Sequence, residues 1–295
     1  MFYKKVIVTG GCGFIGSNLV DELVKKNFEV IVIDNKFDNK NKNATYYKYD
    51  INNYDVIEPL FIDIDYVFHL AAESRIQPTI ENPRLAMKTN VLGTCNVLEA
   101  CRHHNVKRVI YSSTSSAYGL KNNPPLVETM TRDCLNPYSV SKCAGEDLCK
   151  MYHSLYGLET VIFRYFNVYG ERQPTKGQYA PVIGLFQKQH SNGEPMTVVG
   201  DGSQTRDYIH VSDVVNANIL MALHEDESCL GEIFNVGTGT SYSVMDIVSM
   251  VGSDNANYIN GPNRAGEAKN TLADNRKLKS FGWTPKVKLQ EWINP

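Results

Sequence analysis

A glycine-rich turn directly behind a short apolar segment constrains this chain more than any other feature. The β-branched run Val6–Thr9 predicts a buried strand, and Gly10, Gly13 and Gly16 follow it before a helical pattern begins. Glycine permits a tight turn and lets the backbone approach a ligand without a Cβ in the way. The helix that follows presents free N–H groups and the positive end of its dipole, which suits a pyrophosphate.

The second predicted strand ends in an acidic residue. Glu29–Ile33 is followed by Asp34, which lies 18 residues after Gly16. A carboxylate at that distance, at the C-terminal end of a strand, can bind both hydroxyls of an adenosine ribose. Its charge repels a 2′-phosphate, so NAD is favoured over NADP. Residues 1–34 are therefore predicted to form a dinucleotide-binding βαβ unit.

Composition excludes several classes of protein. The formal net charge of −2 gives no electrostatic case for nucleic acid or an anionic membrane. No apolar run reaches the roughly 18 residues of a membrane span, and the N-terminus shows no signal peptide pattern. The seven cysteines include no Cys-x-x-Cys pair and no zinc spacing, which indicates reduced thiols in a cytoplasmic protein without a metal site. His103 and His104 are expected to be solvated.

Strands and helices alternate over the first 170 residues. Further strands are predicted at Thr45–Tyr49, Asp65–Leu70, Val106–Ser113 and Thr160–Tyr165, with long helices at Pro83–His104 and Pro137–Tyr156. This alternation predicts an α/β fold, a doubly wound parallel Rossmann sheet with ligands at the carboxyl ends of its strands. Residues 1–170 are expected to form an NAD-binding domain that carries the catalytic residues. Residues 171–295, where turns become frequent, are expected to form a smaller α/β substrate-binding lobe, with some chain crossing between the lobes.

Two strand ends carry further candidates for cofactor contacts. Asp50 and Ile51 follow the third predicted strand, where a carboxylate and an aliphatic side chain could bracket the adenine. The small pair Ala71-Ala72 follows Leu70 at the end of the fourth strand and would let a cofactor lie close.

A tyrosine and a lysine carry the predicted chemistry. Tyr138 and Lys142 are four residues apart on one helix and project from the same face. A free tyrosine has a pKa of about 10, but a lysine cation and a charged nicotinamide ring favour the phenolate. The pair therefore predicts a base that deprotonates an alcohol. Thr114, in the hydroxyl cluster Ser112–Ser116, is the candidate to hydrogen-bond the same substrate oxygen.

These motifs together resemble an extended short-chain dehydrogenase/reductase, and specifically a nucleotide-sugar 4-epimerase of the NAD-dependent epimerase/dehydratase family. The likeness continues through Arg164–Asn167, Gly202–Val211 and Arg264-x-x-Glu267, and so covers nearly the whole chain. The resemblance implies NAD as cofactor and a UDP-sugar as substrate.

The resemblance also assigns site residues. Those implied for NAD are Gly10, Gly13, Phe14, Ile15, Gly16, Asp34, Asn35, Asp50, Ile51, Leu70, Ala71, Ala72, Asn90, Ser112, Tyr138, Lys142 and Tyr165. Those implied for the nucleotide sugar are Ser74, Arg75, Thr114, Asn167, Thr197, Val199, Arg206, Arg264, Glu267 and Thr271.

The implied reaction removes a hydride from C4 of the sugar, keeps the 4-keto sugar in the pocket and returns the hydride to its opposite face. Dehydratases and decarboxylases of the family place an acidic residue after the threonine, whereas this chain has Ser115 and Ser116.

The resemblance leaves the substrate open. The small side chain of Thr271 leaves room for an N-acetyl group, and Arg75 could instead bind the carboxylate of a UDP-uronic acid. A dehydratase, decarboxylase or reductase is the alternative enzyme, and a non-catalytic NAD-binding scaffold is the alternative class. A homodimer formed through the helices at 83–104 and 137–156 is the family expectation.

Overall fold

The computed structural model describes residues 4–38, 40–175, 181–253, 256–262 and 268–294. Seven strands form one parallel sheet. They are β1 (Lys5–Thr9), β2 (Glu29–Asp34), β3 (Thr45–Lys48), β4 (Tyr66–His69), β5 (Arg108–Thr114), β6 (Glu159–Tyr165) and β10 (Glu232–Val236). Their order is β10-β6-β5-β4-β1-β2-β3, so the chain switches sides of β1 between β3 and β4. The carboxyl ends of β1 and β4 therefore border the crevice where ligands bind in such sheets.

Helices cover both faces of the sheet, which confirms the predicted doubly wound α/β fold. The α-helices of the described residues are, in chain order, α1 (Phe14–Lys25), α2 (Tyr54–Ile57), α3 (Ile76–Glu81), α4 (Pro83–Met87), α5 (Gly93–His103), α6 (Pro137–Tyr156), α7 (Val182–Ser191), α8 (Val211–Leu223), α9 (Val244–Gly252), α10 (Arg276–Ser280) and α11 (Leu289–Ile293). Of these, α7, α9 and α11 pack in a separate apolar cluster and not on the sheet. One core cluster joins the sheet to α1 and α8. A second cluster joins its other face to α5 and α6. The predicted helix at 83–104 contains a π-helical turn at Lys88–Leu92 between α4 and α5.

The remaining strands form a smaller lobe with its own apolar cluster. Its sheet contains β7 (Asn167–Tyr169), β9 (Thr205–His210) and β11 (Ser241–Ser243), and a separate pair contains β8 (Met196–Val199) and β12 (Tyr258–Gly261). The chain then crosses back, because β10 pairs with β6 at the edge of the main sheet. Residues after 170 thus contribute to the larger sheet as well as to the smaller lobe.

Helix α6 begins and ends where its sequence dictates. The Asn136 side chain accepts a hydrogen bond from the Ser139 backbone N–H at 2.8 Å, and the Ser139 hydroxyl completes a reciprocal capping box. Pro137 occupies the first turn, where its missing N–H costs nothing. Gly157 ends the helix in the left-handed conformation at φ +71°. These caps fix the start of the helix that carries Tyr138 and Lys142.

Two surface features bear on the sequence-based expectations. Among the described residues, no helix is both long and apolar enough to cross a membrane. The His103 side chain is 63% exposed, as expected for a solvated residue, whereas His104 is half-buried. Both rings contact Glu58 Oε1, at 3.0 Å and 2.6 Å.

Candidate active site

A cavity of about 990 Å³ lies at the carboxyl ends of the parallel strands. Residues that directly follow β1, β2, β4 and β6 line it, together with the end of β5 and one face of α6. Parts of the smaller lobe, including Thr197 and Val199 on β8, close the other side. The cavity thus spans the positions at which a doubly wound sheet binds its ligands.

The glycine turn is built from contacts that exclude a side chain. Gly10 has φ +72°, and a Cβ at that position would lie 2.7 Å from the backbone nitrogen of Ala71. A Cβ on Gly16 would lie 2.2 Å from the carbonyl oxygen of Gly10. Gly13 is the N-cap residue of α1, so the first N–H groups of the helix face the cavity without a capping side chain. This turn fits a pyrophosphate.

Asp34 is held in place beside this turn. Its Oδ2 accepts a hydrogen bond from the Cys12 backbone N–H at 2.9 Å, and its Oδ1 accepts one from the Lys36 backbone N–H at 2.9 Å. Each oxygen keeps a further lone pair, and the residue lines the cavity. The carboxylate is therefore presented as a fixed acceptor for paired hydroxyls. Together the turn and Asp34 fit the adenosine diphosphate part of NAD.

The cavity brings together nearly all the residues expected to bind the cofactor. Those that line it are Gly10, Gly13, Phe14, Ile15, Gly16, Asp34, Asn35, Asp50, Ile51, Leu70, Ala71, Ala72, Ser112, Tyr138, Lys142 and Tyr165. Asn90 is not among them. It is buried, and its Oδ1 accepts a hydrogen bond from the Glu73 backbone N–H at 2.8 Å, while its Nδ2 donates to the Glu73 carbonyl and to Ser141 Oγ. In this structure Asn90 braces the loop of Glu73 against α6.

Tyr138 and Lys142 face the cavity from α6. Burial raises the pKa of Tyr138, while its hydrogen bond with the Thr114 side chain lowers it. Burial lowers the pKa of Lys142 to about 8, although Cys149, Glu146 and Cys143 act in the opposite direction. The Lys142 ammonium lies 4.3 Å from the centroid of the Tyr111 ring, a cation–π contact. Lys142 is thus held in a buried position beside Tyr111, with a pKa of about 8.

A buried ion pair anchors the same helix to the sheet. Glu146, one turn beyond Lys142, accepts two hydrogen bonds from Arg164, at 2.9 Å and 2.8 Å. Its Oε1 also accepts a hydrogen bond from the Ser113 hydroxyl at 2.6 Å. A buried carboxylate requires such pairing, since an unpaired charge in the interior is strongly unfavourable. These contacts fix α6 relative to the end of β5, where Thr114 lies.

The residues expected to bind the nucleotide sugar come from both parts of the fold. Those that line the cavity are Ser74, Arg75 and Thr114 beside the main sheet, and Asn167, Thr197, Val199, Arg206 and Thr271 in the smaller lobe. Arg264 and Glu267 lie outside the described residues. Asn167 Nδ2 and Thr271 Oγ1 are 3.4 Å apart, and Arg206 donates to the Lys269 carbonyl at 2.7 Å. Asp207 orders this region, because its carboxylate accepts hydrogen bonds from the backbones of Thr238, Gly239 and Ala273.

Sequence reasoning missed two sets of lining residues. The hydroxyls of Tyr169 and Tyr208 are buried without a hydrogen-bond partner among the described residues, and both tyrosines line the cavity. Tyr208 lies within the Gly202–Val211 motif, and that motif could have identified it as a lining residue. Pro181, Ile183 and Phe186, at the start of α7, line the cavity as well, and no local pattern marks them. Unsatisfied buried hydroxyls indicate a place for a polar ligand.

Comparison with known proteins gives the family. Residues 6–237 match the NAD dependent epimerase/dehydratase family. The UDP-glucose 4-epimerase of Thermotoga maritima, solved with UDP-glucose, is 36% identical with a TM-score of 0.92, covering 98% of this chain and 96% of that one. The UDP-N-acetylglucosamine 4-epimerase of Methanobrevibacter ruminantium, solved with UDP-N-acetylmuramic acid, is also 36% identical with a TM-score of 0.92, covering 99% and 96%. UDP-glucuronic acid decarboxylase 2 of Arabidopsis thaliana is 35% identical over 303 residues, 98% of this chain and 66% of that protein. The chain therefore belongs to the NAD-dependent epimerase/dehydratase family and is an enzyme whose cofactor is NAD.

Proposed function

We propose that this enzyme interconverts the C4 epimers of a UDP-sugar through a transient 4-keto intermediate. The observation that carries the proposal is that one cavity is lined by the glycine turn and Asp34, by Tyr138 and Lys142, and by the substrate-side residues of the smaller lobe. A cofactor cradle, a base and a polar sugar-nucleotide surface are the parts that such a reaction needs. The 4-epimerases of Thermotoga maritima and Methanobrevibacter ruminantium support this reading.

NAD, when bound, supplies the acceptor and donor of the hydride at C4. Tyr138 takes the proton from O4 while the hydride leaves and gives it back when the hydride returns. The Lys142 cation favours the phenolate form of Tyr138. The Thr114 hydroxyl, already hydrogen-bonded to Tyr138, holds O4 in line with the base. The chain thus provides positioning and proton transfer, and the cofactor provides the redox chemistry.

The side chains beside Thr114 favour epimerisation over elimination or decarboxylation. Ser115 and Ser116 follow it in a short 3₁₀ turn and both line the cavity. Hydroxyls at these positions are poor acids and bases near neutral pH, so the removal of water from C5 and C6 lacks a partner there. A decarboxylase remains the second candidate, supported by the Arabidopsis relative.

The nucleotide end is assigned to the smaller lobe. Arg206 and Asn167 offer donors to a diphosphate, and guanidinium groups suit phosphate oxygens. Thr271 is small and only 6% exposed, and it lines the cavity beside Asn167. We propose that this leaves room for an N-acetyl group, so that UDP-GlcNAc and UDP-GalNAc are accepted as well as UDP-glucose and UDP-galactose. Arg75 lines the cavity too, and it supports a UDP-uronic acid as the alternative substrate.

The test is direct. The purified protein is incubated without added cofactor, separately with UDP-GlcNAc, UDP-glucose and UDP-glucuronate, and proton NMR follows the anomeric and H4 signals. The C4 epimer of at least one substrate is expected at equilibrium, because the cofactor is regenerated in each turnover. A pentose product from UDP-glucuronate would establish the decarboxylase instead. No change with any substrate, even after NAD is added, would contradict both readings.

We also propose that the enzyme forms a homodimer in the cytoplasm. Large apolar side chains are exposed on α4, on the π-helical turn and on α6, namely Leu85 (42%), Leu92 (50%), Val140 (44%) and Leu155 (66%). A second copy of the chain would cover them through the same two helices. All cysteines are unpaired thiols, a state that a reducing compartment maintains. Light scattering should give twice the mass of the chain, and Leu92→Glu with Leu155→Glu should give the monomer. A monomeric parent protein would contradict the dimer.

A further inference from the structure

Two thiols flank the catalytic pair along the chain. Cys134 precedes Tyr138 by four residues, and Cys143 directly follows Lys142. Their sulfur atoms are 3.5 Å apart and hydrogen-bonded. A disulfide bond measures about 2.05 Å, so both thiols are reduced here although the sulfurs are already in contact.

The backbone on both sides of this thiol pair is fixed. Arg132 forms two hydrogen bonds to Asp147 on α6, at 2.8 Å and 2.7 Å, and Nη1 also contacts the Cys143 carbonyl oxygen at 3.4 Å. The capping box of Asn136 and Ser139 ties the next residues to the same helix. The loop that carries Cys134 is therefore clamped against the turn that carries Cys143, and the thiols meet as a consequence of the fold.

The two thiols differ in accessibility and in acidity. Cys134 is partly exposed, whereas Cys143 is 4% exposed. When Cys134 is ionised, the Cys143 thiol donates a hydrogen bond to it and lowers its pKa; burial opposes this, and the Ser139 hydroxyl and Arg132 assist it. The thiolate is the nucleophilic form of cysteine. Cys134 is thus the attacking thiol, and Cys143 is placed as its resolving partner.

We propose that Cys134 and Cys143 form a redox-modification site at which a peroxide converts the two thiols into a disulfide that slows the enzyme. The Cys134 thiolate attacks one peroxide oxygen, the O–O bond breaks, and a sulfenic acid forms while the leaving oxygen takes a proton and departs as water. Cys143 then attacks that sulfur, the S–S bond forms, and the S–O bond breaks with release of a second water. The two thiols lose two electrons, and the peroxide gains them.

The bond would act on the catalytic residues through the backbone. The sulfurs must approach from 3.5 Å to about 2.05 Å. Leu135, Tyr138 and Lys142 lie between the two cysteines in the chain, and all three line the cavity. A displacement of about 1 Å at a reacting group can cost up to about 10²-fold in rate. Thiol reagents that reduce the bond would restore the original geometry.

The experiment uses hydrogen peroxide on the full-length enzyme in its NAD-bound form. Trypsin cuts after Arg132, Lys142 and Lys150, so the disulfide joins peptide 133–142 to peptide 143–150. Because the second peptide also contains Cys149, non-reducing mass spectrometry with fragmentation identifies which of its two cysteines is cross-linked. The control variants are Cys134→Ser, Cys143→Ala and Cys95→Ser. Cys95 is the other partly exposed thiol, and its sulfur contacts the Tyr152 hydroxyl at 3.8 Å.

We expect the 134–143 cross-link in the parent protein and in Cys95→Ser, but not in the other two variants. Turnover should fall by about tenfold or more and recover with dithiothreitol only where the cross-link forms. Sulfinic acid at Cys134, a cross-link elsewhere, or no oxidation would overturn the site, whatever the substrate is. A cross-link that leaves turnover unchanged would overturn its control of the enzyme. The turnover arm rests on the proposed function, whereas the peptide map does not.

Discussion

The Nδ1 atom of His69 lies 2.7 Å from the hydroxyl oxygen of Thr9, and this buried contact defines a directed chain of hydrogen bonds beneath the cofactor site. The Thr94 hydroxyl donates to the Asn90 carbonyl oxygen at 2.7 Å, so it must accept from His69 Nε2–H, 2.9 Å away. In the neutral imidazole, which burial favours by lowering the pKa of His69, Nδ1 accepts from the Thr9 hydroxyl, and that hydroxyl in turn accepts the Ala71 backbone N–H at 3.3 Å. The chain of hydrogen bonds therefore holds the loop that begins at Ala71.

This neutral histidine should make stability depend on pH. Burial, with the nearby Lys142 charge, lowers the pKa of His69 from 6.5 to about 3. As the pH falls below 6.5, His69 is protonated in the unfolded chain but stays neutral in the folded chain. Between pH 6.5 and about pH 3, this group alone should therefore lower the free energy of unfolding by up to about 1.4 kcal/mol for each pH unit. His69→Gln, measured by urea denaturation at several pH values, should lose that part of the slope, and an unchanged slope would show that His69 does not titrate this way.

Tyr138→Phe removes the proposed base and little else. The ring remains to fill its place on α6, so NAD should still bind. The rate of epimerisation should fall by about 10²–10⁴-fold, which is the usual contribution of a positioned general acid or base to the rate. Thr114→Val should reduce turnover less, and Thr114→Ser, which keeps the hydroxyl, should stay near the parent rate. Steady-state kinetics with bound NAD measured in parallel checks this. A Phe variant as fast as the parent would exclude Tyr138 as the base.

Lys142 should set the alkaline limit of activity. Its pKa is lowered to about 8 by burial, so it carries its charge below that pH and loses it as the pH rises. Without the cation, the phenolate of Tyr138 is less favoured, and the rate should fall as the pH rises through about 8. Lys142→Arg keeps a charge throughout this range, so its slower reaction should lack that alkaline limb. The same limb in both proteins would assign it to another group.

Thr271 should control whether N-acetylated sugars fit. A tyrosine at this position would fill space beside Asn167 that an N-acetyl group needs. Thr271→Tyr should lower kcat/KM for UDP-GlcNAc relative to UDP-glucose by at least about tenfold, whereas Thr271→Ser should leave the ratio near that of the parent. If the ratio is the same in all three proteins, Thr271 is not the gate.

Gly16 and Gly13 offer a matched pair in the glycine turn. A Cβ on Gly16 would lie 2.2 Å from the Gly10 carbonyl oxygen, whereas one on Gly13 would lie 3.3 Å from the same atom. Gly16→Ala should therefore destabilise the cofactor-free protein by about 1–3 kcal/mol, and Gly13→Ala by clearly less. Denaturant unfolding of both variants measures the difference. Equal losses would mean that the turn relaxes around the added methyl group.

Features that depend on short spacings were predictable from the sequence. The glycine turn, Asp34 and the pair Tyr138 and Lys142 each act within one strand, turn or helix. Local periodicity and fixed offsets therefore locate them. The start and end of α6 follow from Asn136, Pro137 and Gly157 for the same reason.

Features that depend on residues far apart in the chain were not predictable from the sequence. Strand β10 pairs with β6, although the elements of the smaller lobe lie between them in the sequence. Asn90 looks like a cofactor residue in the sequence, but its partners Glu73 and Ser141 lie 17 and 51 residues away. The same holds for the buried pair of Glu146 and Arg164, 18 residues apart on different elements. No local pattern encodes which of these polar groups meet in the interior.

In the proposed reaction the hydrogen at C4 leaves as a hydride and the same hydrogen returns to the opposite face of the sugar. Epimerisation of the accepted UDP-sugar in deuterated water tests this step, with proton NMR and mass spectrometry of the product. We expect that C4 inverts while its original hydrogen is retained and that no deuterium enters the sugar carbon skeleton. Deuterium at C4 or C5 of the product would contradict it and would point to proton exchange, elimination or decarboxylation.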